Sequence, residues 1–301
     1  MAETDPSQET RLTAQIIGDA FGELKSTLVA FVRAPKALWG INIPYVIEGL
    51  VYFGILTILG KYCSENVGLS DLQAGWVYSV VTAGITFAMM FLGGVCDRIG
   101  VPKALAIAFT AFVVARGLVA LSGTLPLGQG LGSPMFLVMS LGLIVSILAY
   151  GLYQPAAYAG VKRYTSPNTA AMGYAVVYAL MNLGAFLSGF ISPVVRHRFV
   201  EVFPPNGLTA VFWAYTALCA VALAITLLVL TRATDAAAVE RVARETAELT
   251  DAHEVTEENK TDSTKPSGDT KPSNLLLLVL ASATAISIGA AVAATTGRLP
   301  S

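Results

Sequence analysis

Glu48 stands midway along an apolar run from Leu38 to Gly60 and is the only carboxylate of the chain inside such a run. Holding an ionisable group at that depth in a bilayer costs at least about 2.5 kcal/mol on insertion scales, a cost rarely kept without a use. Arg116 is the only cation within an apolar run. Tyr45, Glu48 and Tyr52, at spacings of three and four residues, share one helix face. Tyr150 and Gln154 pair in the same way on a later run, where Pro155 frees a backbone carbonyl, and Tyr174, Tyr178 and Asn182 form a third stripe. Taken singly, each tyrosine also reads as an interfacial or packing residue. Together, three polar stripes on apolar helices point to a water-filled pathway lined by Tyr45, Tyr52, Tyr150, Gln154, Tyr178 and Asn182.

Two arrangements are open to the charged pair. Arg116 lies about 13 residues from one end of its run and Glu48 about 10 from the same end of its own, an axial offset of about 5 Å at 1.5 Å per residue. An arginine could reach that far if the helices adjoin. The ordinary path for a lone intramembrane arginine is outward, snorkelling to the interface. Without a cation, Glu48 favours its neutral form and becomes a candidate proton carrier; with Arg116 beside it, it stays charged until solute displaces the pair.

Spans are needed to hold these groups, and the composition supplies them. Of 301 residues, 54% are apolar and 13% charged, and the mean hydropathy is +0.64. Soluble domains carry roughly 25% charged residues, so the expected class is an all-α polytopic membrane helix bundle. Seven spans are expected, at about 38–60, 74–95, 103–122, 135–158, 170–191, 209–230 and 275–296. Placing the N-terminus in the cytoplasm puts fourteen Lys and Arg residues on that side and four outside, with Arg196 and Arg198 a local violation. A multi-pass protein of the plasma (inner) membrane is the expected location.

The remaining segments are polar. Residues 1–37 read as a cytoplasmic tail with an amphipathic helix through Leu12, Ile16, Phe21, Leu24, Leu28 and Phe31. The first ten residues lack the basic and apolar regions of a signal peptide. After the six-helix bundle of 38–230, residues 231–274 are expected to form an acidic helix and a disordered tether; 235–258 hold eight acids and two basic residues. The seventh span is expected within residues 275–301. Cys63, Cys96 and Cys219 are too scattered for a metal site or disulfide framework, and His197 and His253 are expected outside the spans, in loops. No phosphate loop, metal spacing or nucleophile triad is present, so neither an enzyme, a cofactor nor a nucleic-acid partner is expected.

The second span ends in GGVCDRIGVPK, residues 93–103. Through Gly93, Asp97, Arg98 and Gly100 this resembles the signature loop of the major facilitator superfamily, although the basic pair that follows there is Val101-Pro102 here. The resemblance implies a gating loop. Residues 153–193 are similar to the fourth and fifth helices of the proton-dependent oligopeptide transporter family, through Pro155, Tyr178, Asn182, Leu183, Gly184 and Ala185. Glu48, Tyr52, Phe53 and Gly54 match the last part of that family's first-helix motif. Tyr45, Gly49 and Gln154 stand where the family has Glu, Arg and Lys, residues it links to proton coupling and to the peptide carboxylate.

The resemblance implies the six-helix N-terminal half of a major facilitator fold plus a seventh span. It implies a secondary transporter, with proton symport as the family's form of coupling, moving a small peptide-like or other solute by alternating access. Its partners are then the bilayer, solute and protons, and a missing C-terminal half or a second copy, the chain being read as truncated. Phe91-Leu92-Gly93-Gly94 and Phe186-Leu187-Ser188-Gly189 hint at inverted three-helix repeats. The alternative is a non-transporting membrane module, or a half-transporter in a complex, with 235–258 as a partner-binding arm.

Overall fold

The computed structural model describes residues 34–261, so the amphipathic helix expected before Pro35, the tether after Thr261 and the seventh span lie outside the described residues. Within them are seven helices and no strand: α1 Lys36–Glu65, α2 Asp71–Ile99, α3 Val101–Thr124, α4 Pro134–Tyr164, α5 Pro167–Arg198, α6 Leu208–Val229 and α7 Arg232–Thr261. The first six are long and apolar enough to cross a membrane. A boundary after Thr250 separates a unit of residues up to that point from a second that begins with the last turns of α7.

The helices outrun the apolar stretches that announce them. At 30 residues α1 is about 45 Å long, against a hydrocarbon core of roughly 30 Å, so its polar ends project beyond the apolar layer. Sequence hydropathy marks only the part that needs lipid. Side-chain caps set the true starts: Ser70 Oγ accepts from the Gln73 amide at 3.3 Å, and Ser133 Oγ from the Phe136 amide at 3.1 Å. Only two residues, Thr165 and Ser166, separate α4 from α5, and Gly100 at φ +83° is the single hinge residue between α2 and α3. That left-handed backbone favours glycine.

Packing follows a two-fold pattern. α1 rests on α5 and α6, α4 rests on α2 and α3, and α3 meets α6. Exchanging α1 with α4, α2 with α5 and α3 with α6 maps these contacts onto themselves, as the paired Phe-Leu-x-Gly segments suggest. Glycines let the backbones close. A Cβ on Gly184 of α5 would stand 2.5 Å from the Val46 carbonyl oxygen of α1, and one on Gly151 of α4 would stand 2.8 Å from the Ala88 carbonyl of α2. α1 and α3 are the most enclosed spans, while α2 and α5 turn outward faces bearing Trp76, Phe87, Phe91, Phe186 and Phe190 to the surroundings.

Both ends of the bundle are tied. At one end Asn206 Nδ2 donates to Glu65 Oε2 at 2.7 Å and to Asn66 Oδ1 at 2.8 Å, while Arg196 Nε donates to the Asn206 carbonyl at 3.0 Å. The arginine that breaks the charge asymmetry is thus held by a loop carbonyl. At the other end Arg163 grips the Asp235 carboxylate with two bonds of 3.0 and 3.1 Å, and the Tyr164 hydroxyl donates to it at 2.7 Å. Burial alone would raise the Asp235 carboxyl, but the hydrogen bonds from Arg163 and Tyr164 and the Arg163 charge hold it below its ordinary value.

Candidate functional site

Glu48 and Arg116 meet in the interior. Arg116 is 1% exposed and Glu48 2%. Nη1 of Arg116 donates to Oε2 of Glu48 at 2.7 Å, and Nη2 donates to Oε1 at 2.5 Å, a two-pronged pair between α3 and α1. The outward path open to a lone arginine is not the one taken here. Snorkelling avoids desolvation, but a fork onto a carboxylate, with further hydrogen bonds, offsets that cost in place.

Other groups close around the pair. The Tyr150 hydroxyl donates to Glu48 Oε1 and accepts from Arg116 Nη2 at 2.9 Å. Cys219 of α6 lies against Arg116 Nη1, with its thiol directed at Glu48 Oε2 across 4.0 Å. The Arg116 guanidinium carbon is 4.3 Å from the centre of the Phe112 ring, a cation–π contact. Arg116 Nε has no hydrogen-bond partner among the described residues. Four spans therefore meet at one charge pair.

A cavity of about 210 Å³ opens against the carboxylate side of this cluster. α1 lines it with Tyr45, Glu48, Gly49 and Tyr52, α2 with Ile85 and Met89, α4 with Tyr150, Tyr153 and Gln154, and α5 with Met181. Tyr45, Glu48, Tyr150 and Tyr153 are buried; Tyr52, Met89, Gln154 and Met181 are half-buried. Gln154 Nε2 donates to the Tyr45 hydroxyl at 2.9 Å, which donates in turn toward Met181 Sδ at 3.7 Å. The Tyr45 and Tyr153 rings stack at 5.7 Å and those of Tyr52 and Tyr150 meet edge-on at 5.1 Å.

Of the residues singled out from sequence, Tyr45, Glu48, Tyr52, Tyr150 and Gln154 share this cavity. Arg116 backs it from behind Glu48. Tyr178 and Asn182 are not among its lining residues: Tyr178 is 69% exposed, and Asn182 Nδ2 donates to the Tyr178 carbonyl at 2.8 Å. The face of α5 that packs on α1 runs through Val177, Met181 and Gly184, one residue out of step with the Tyr174, Tyr178, Asn182 stripe, and that step turns the stripe by about 100°.

Spacing alone could have found Tyr153, three residues after Tyr150. Nothing in the sequence distinguishes Cys219 from a packing cysteine, and Met89, Ile85 and Met181 enter only through helix packing. Asp97 and Gly100 line a separate groove at the α2–α3 junction with Lys162 and Arg163; Gly93 faces Pro155, at 3.7 Å from where its Cβ would stand, and Arg98 is exposed. Arg163 in that groove is already engaged by Asp235.

The family model of the Major Facilitator Superfamily matches residues 42–301. No curated protein sequence matches the chain. A solved structure described as "Structural insights into substrate recognition in proton dependent oligopeptide transporters" superposes with a TM-score of 0.57 at 18% identity, over 71% of this chain and 47% of that one. "Crystal structure of peptide transporter POT in complex with sulfate" gives 0.54 at 20% identity over 72% and 46%. Tetrameric PepTSo2 gives 0.57 at 16% identity over 81% and 57%. The chain spans about half the length of these solved relatives, and at such identities the likeness is one of fold.

Proposed function

The chain belongs to the Major Facilitator Superfamily, and from that premise we propose that it acts in secondary active transport of a small solute by alternating access. The observation that carries this reading is the buried Glu48–Arg116 pair lying directly behind a cavity bounded by α1, α2, α4 and α5. A paired charge at that depth stores a switch. While the pair is closed, both carboxylate oxygens of Glu48 are taken by Arg116 and Tyr150; when Arg116 turns away, Glu48 is free to accept a proton.

In this reading the outward faces of α2 and α5 receive the other half of the transporter, either a C-terminal half or a second copy. The α2–α3 loop, with Gly93, Asp97, Arg98 and Gly100, then lies on the cytoplasmic side and gates by opening and closing beside the ends of α4. That side also holds the N-terminus, and the membrane is the plasma (inner) membrane. The solved relatives are described as peptide transporters; Gly49 and Gln154 stand where the resemblance expects Arg and Lys, so the solute class is not carried over from them.

The test is uptake by the full chain reconstituted in vesicles, with and without an inward proton gradient. Accumulation that follows the gradient, and is lost in Glu48→Gln while exchange at equilibrium remains, supports both transport and the coupling role of Glu48. Accumulation that persists in Glu48→Gln removes Glu48 from coupling.

A further inference from the structure

Resting on the transport reading above, we infer that Tyr150 is the positioning residue through which an occupant of the cavity acts on the Glu48–Arg116 pair. Its hydroxyl serves both charges: it donates to Glu48 Oε1 and accepts from Arg116 Nη2 at 2.9 Å. Tyr150 is also part of the cavity lining, at 7% exposure. Cys219 touches both charges too, but it is 0% exposed and not among the lining residues, and neither is Arg116. Among the described residues, Tyr150 is thus the group that is hydrogen-bonded to both members of the pair and stands in the wall.

Rigidity makes this residue a lever. A phenol carries its oxygen in the plane of its ring, so whichever part of Tyr150 meets an occupant, the oxygen moves with the ring. The ring meets Tyr52, a half-buried lining residue, at 5.1 Å and Phe112 at 4.6 Å, and Phe112 in turn faces the Arg116 guanidinium carbon at 4.3 Å. The helix that carries Tyr150 is weakened beside it, because Pro155 inside α4 leaves the Gly151 carbonyl without its helical donor. One displacement of the ring removes two charge-assisted hydrogen bonds, the donor to the carboxylate and the acceptor of the guanidinium. The lone pair of Oε1 that the Tyr150 proton occupied is then open to a proton, while Arg116 Nη2 still holds the other. The pair is loosened on both sides by a movement that starts in the cavity.

The experiment needs no transported solute. The full chain in lipid nanodiscs carries Met89→Cys, at a half-buried lining position of α2, where benzyl methanethiosulfonate tethers one neutral ring; Cys63, Cys96 and Cys219 are at most 2% exposed and shielded from the reagent. Infrared difference spectra at neutral pH, with Glu48→Gln as the blank, isolate the Glu48 carboxylate stretch. Tyr150→Phe, which keeps the ring and removes the hydroxyl, is expected to shift that band. The tethered ring is expected to reproduce about half of that shift or more where Tyr150 is present, and to add nothing in Tyr150→Phe. A band that Tyr150→Phe leaves in place marks the residue as packing and overturns the inference. So does a band that the tethered ring moves equally in both proteins, since the pair is then reached by another route. Labelled and unlabelled Met89→Cys proteins test the coupling even without a folded Tyr150→Phe: a band that the label does not move overturns it. Vesicle uptake decides the transport reading separately. Gradient-driven accumulation with no band response sinks this inference alone, whereas a band response in a protein that accumulates nothing upholds the link from cavity to pair and sinks transport.

Discussion

Arg116 of α3 and Glu48 of α1, 68 positions apart in the chain, face each other fork to fork, both nearly sealed from the surroundings. Removing one partner strands the other as a buried charge, and breaking such pairs costs about 3–5 kcal/mol. Arg116→Ala is therefore expected to destabilise the detergent-solubilised protein by that order, read as a drop in thermal midpoint. The double variant Glu48→Gln with Arg116→Met removes both charges and is expected to recover most of the loss. A double variant no more stable than Arg116→Ala would show that the pair contributes little.

Close helix approach makes a second contrast on α5. Alanine at Gly184 places a Cβ 2.5 Å from the Val46 carbonyl oxygen and 2.6 Å from the Leu50 nitrogen, backbone atoms that cannot yield unless α1 and α5 separate. A loss of about 1–3 kcal/mol is expected for Gly184→Ala, the range for overpacking. Gly189 on the same helix has nothing within 4 Å of a built Cβ, so Gly189→Ala is expected to be neutral or stabilising by up to about 1 kcal/mol. Thermal unfolding of the two variants side by side checks the packing.

The first turn of α7 is held to the end of α4 through Asp235, whose carboxyl the Arg163 and Tyr164 contacts keep below its ordinary value of 3.8. A depressed carboxyl contributes stability above its unfolded value and loses it as pH falls through the folded one. The attachment is thus expected to persist from pH 7 to 5 and to loosen only below about pH 4. Hydrogen exchange of residues 232–245 against pH measures it. Asp235→Asn is expected to raise exchange there at neutral pH and to flatten the acid dependence.

The bond from Gln154 to Tyr45 links α4 to α1 in the wall of the cavity. Gln154→Ala and Tyr45→Phe each remove it, so their effects on stability are expected not to add: the double variant should fall short of the sum by about 1 kcal/mol, the size of one such hydrogen bond. Strict additivity in denaturation would mean the bond is not made.

Apolar run length determined the six spans and the all-helical class by itself, because a backbone in hydrocarbon must satisfy its own hydrogen bonds and only a helix of sufficient length does so within one segment. Spacing on single helices was also legible: Tyr45, Glu48 and Tyr52 share a face on α1, and Tyr150 and Gln154 share one on α4, whatever lies opposite. What faces them was not. Sequence left Arg116 two destinations, outward to the interface or inward to Glu48, and only the packing of α3 against α1, α4 and α6 decides that it turns inward to Glu48, Tyr150 and Cys219. The same packing turns the Tyr178 and Asn182 stripe of α5 outward, because Gly184, off that stripe, is where the α5 backbone closes on α1. Periodicity fixes which residues travel together on a helix; the rotation of that helix about its axis is set by where its neighbours allow close approach, and that information belongs to pairs of helices.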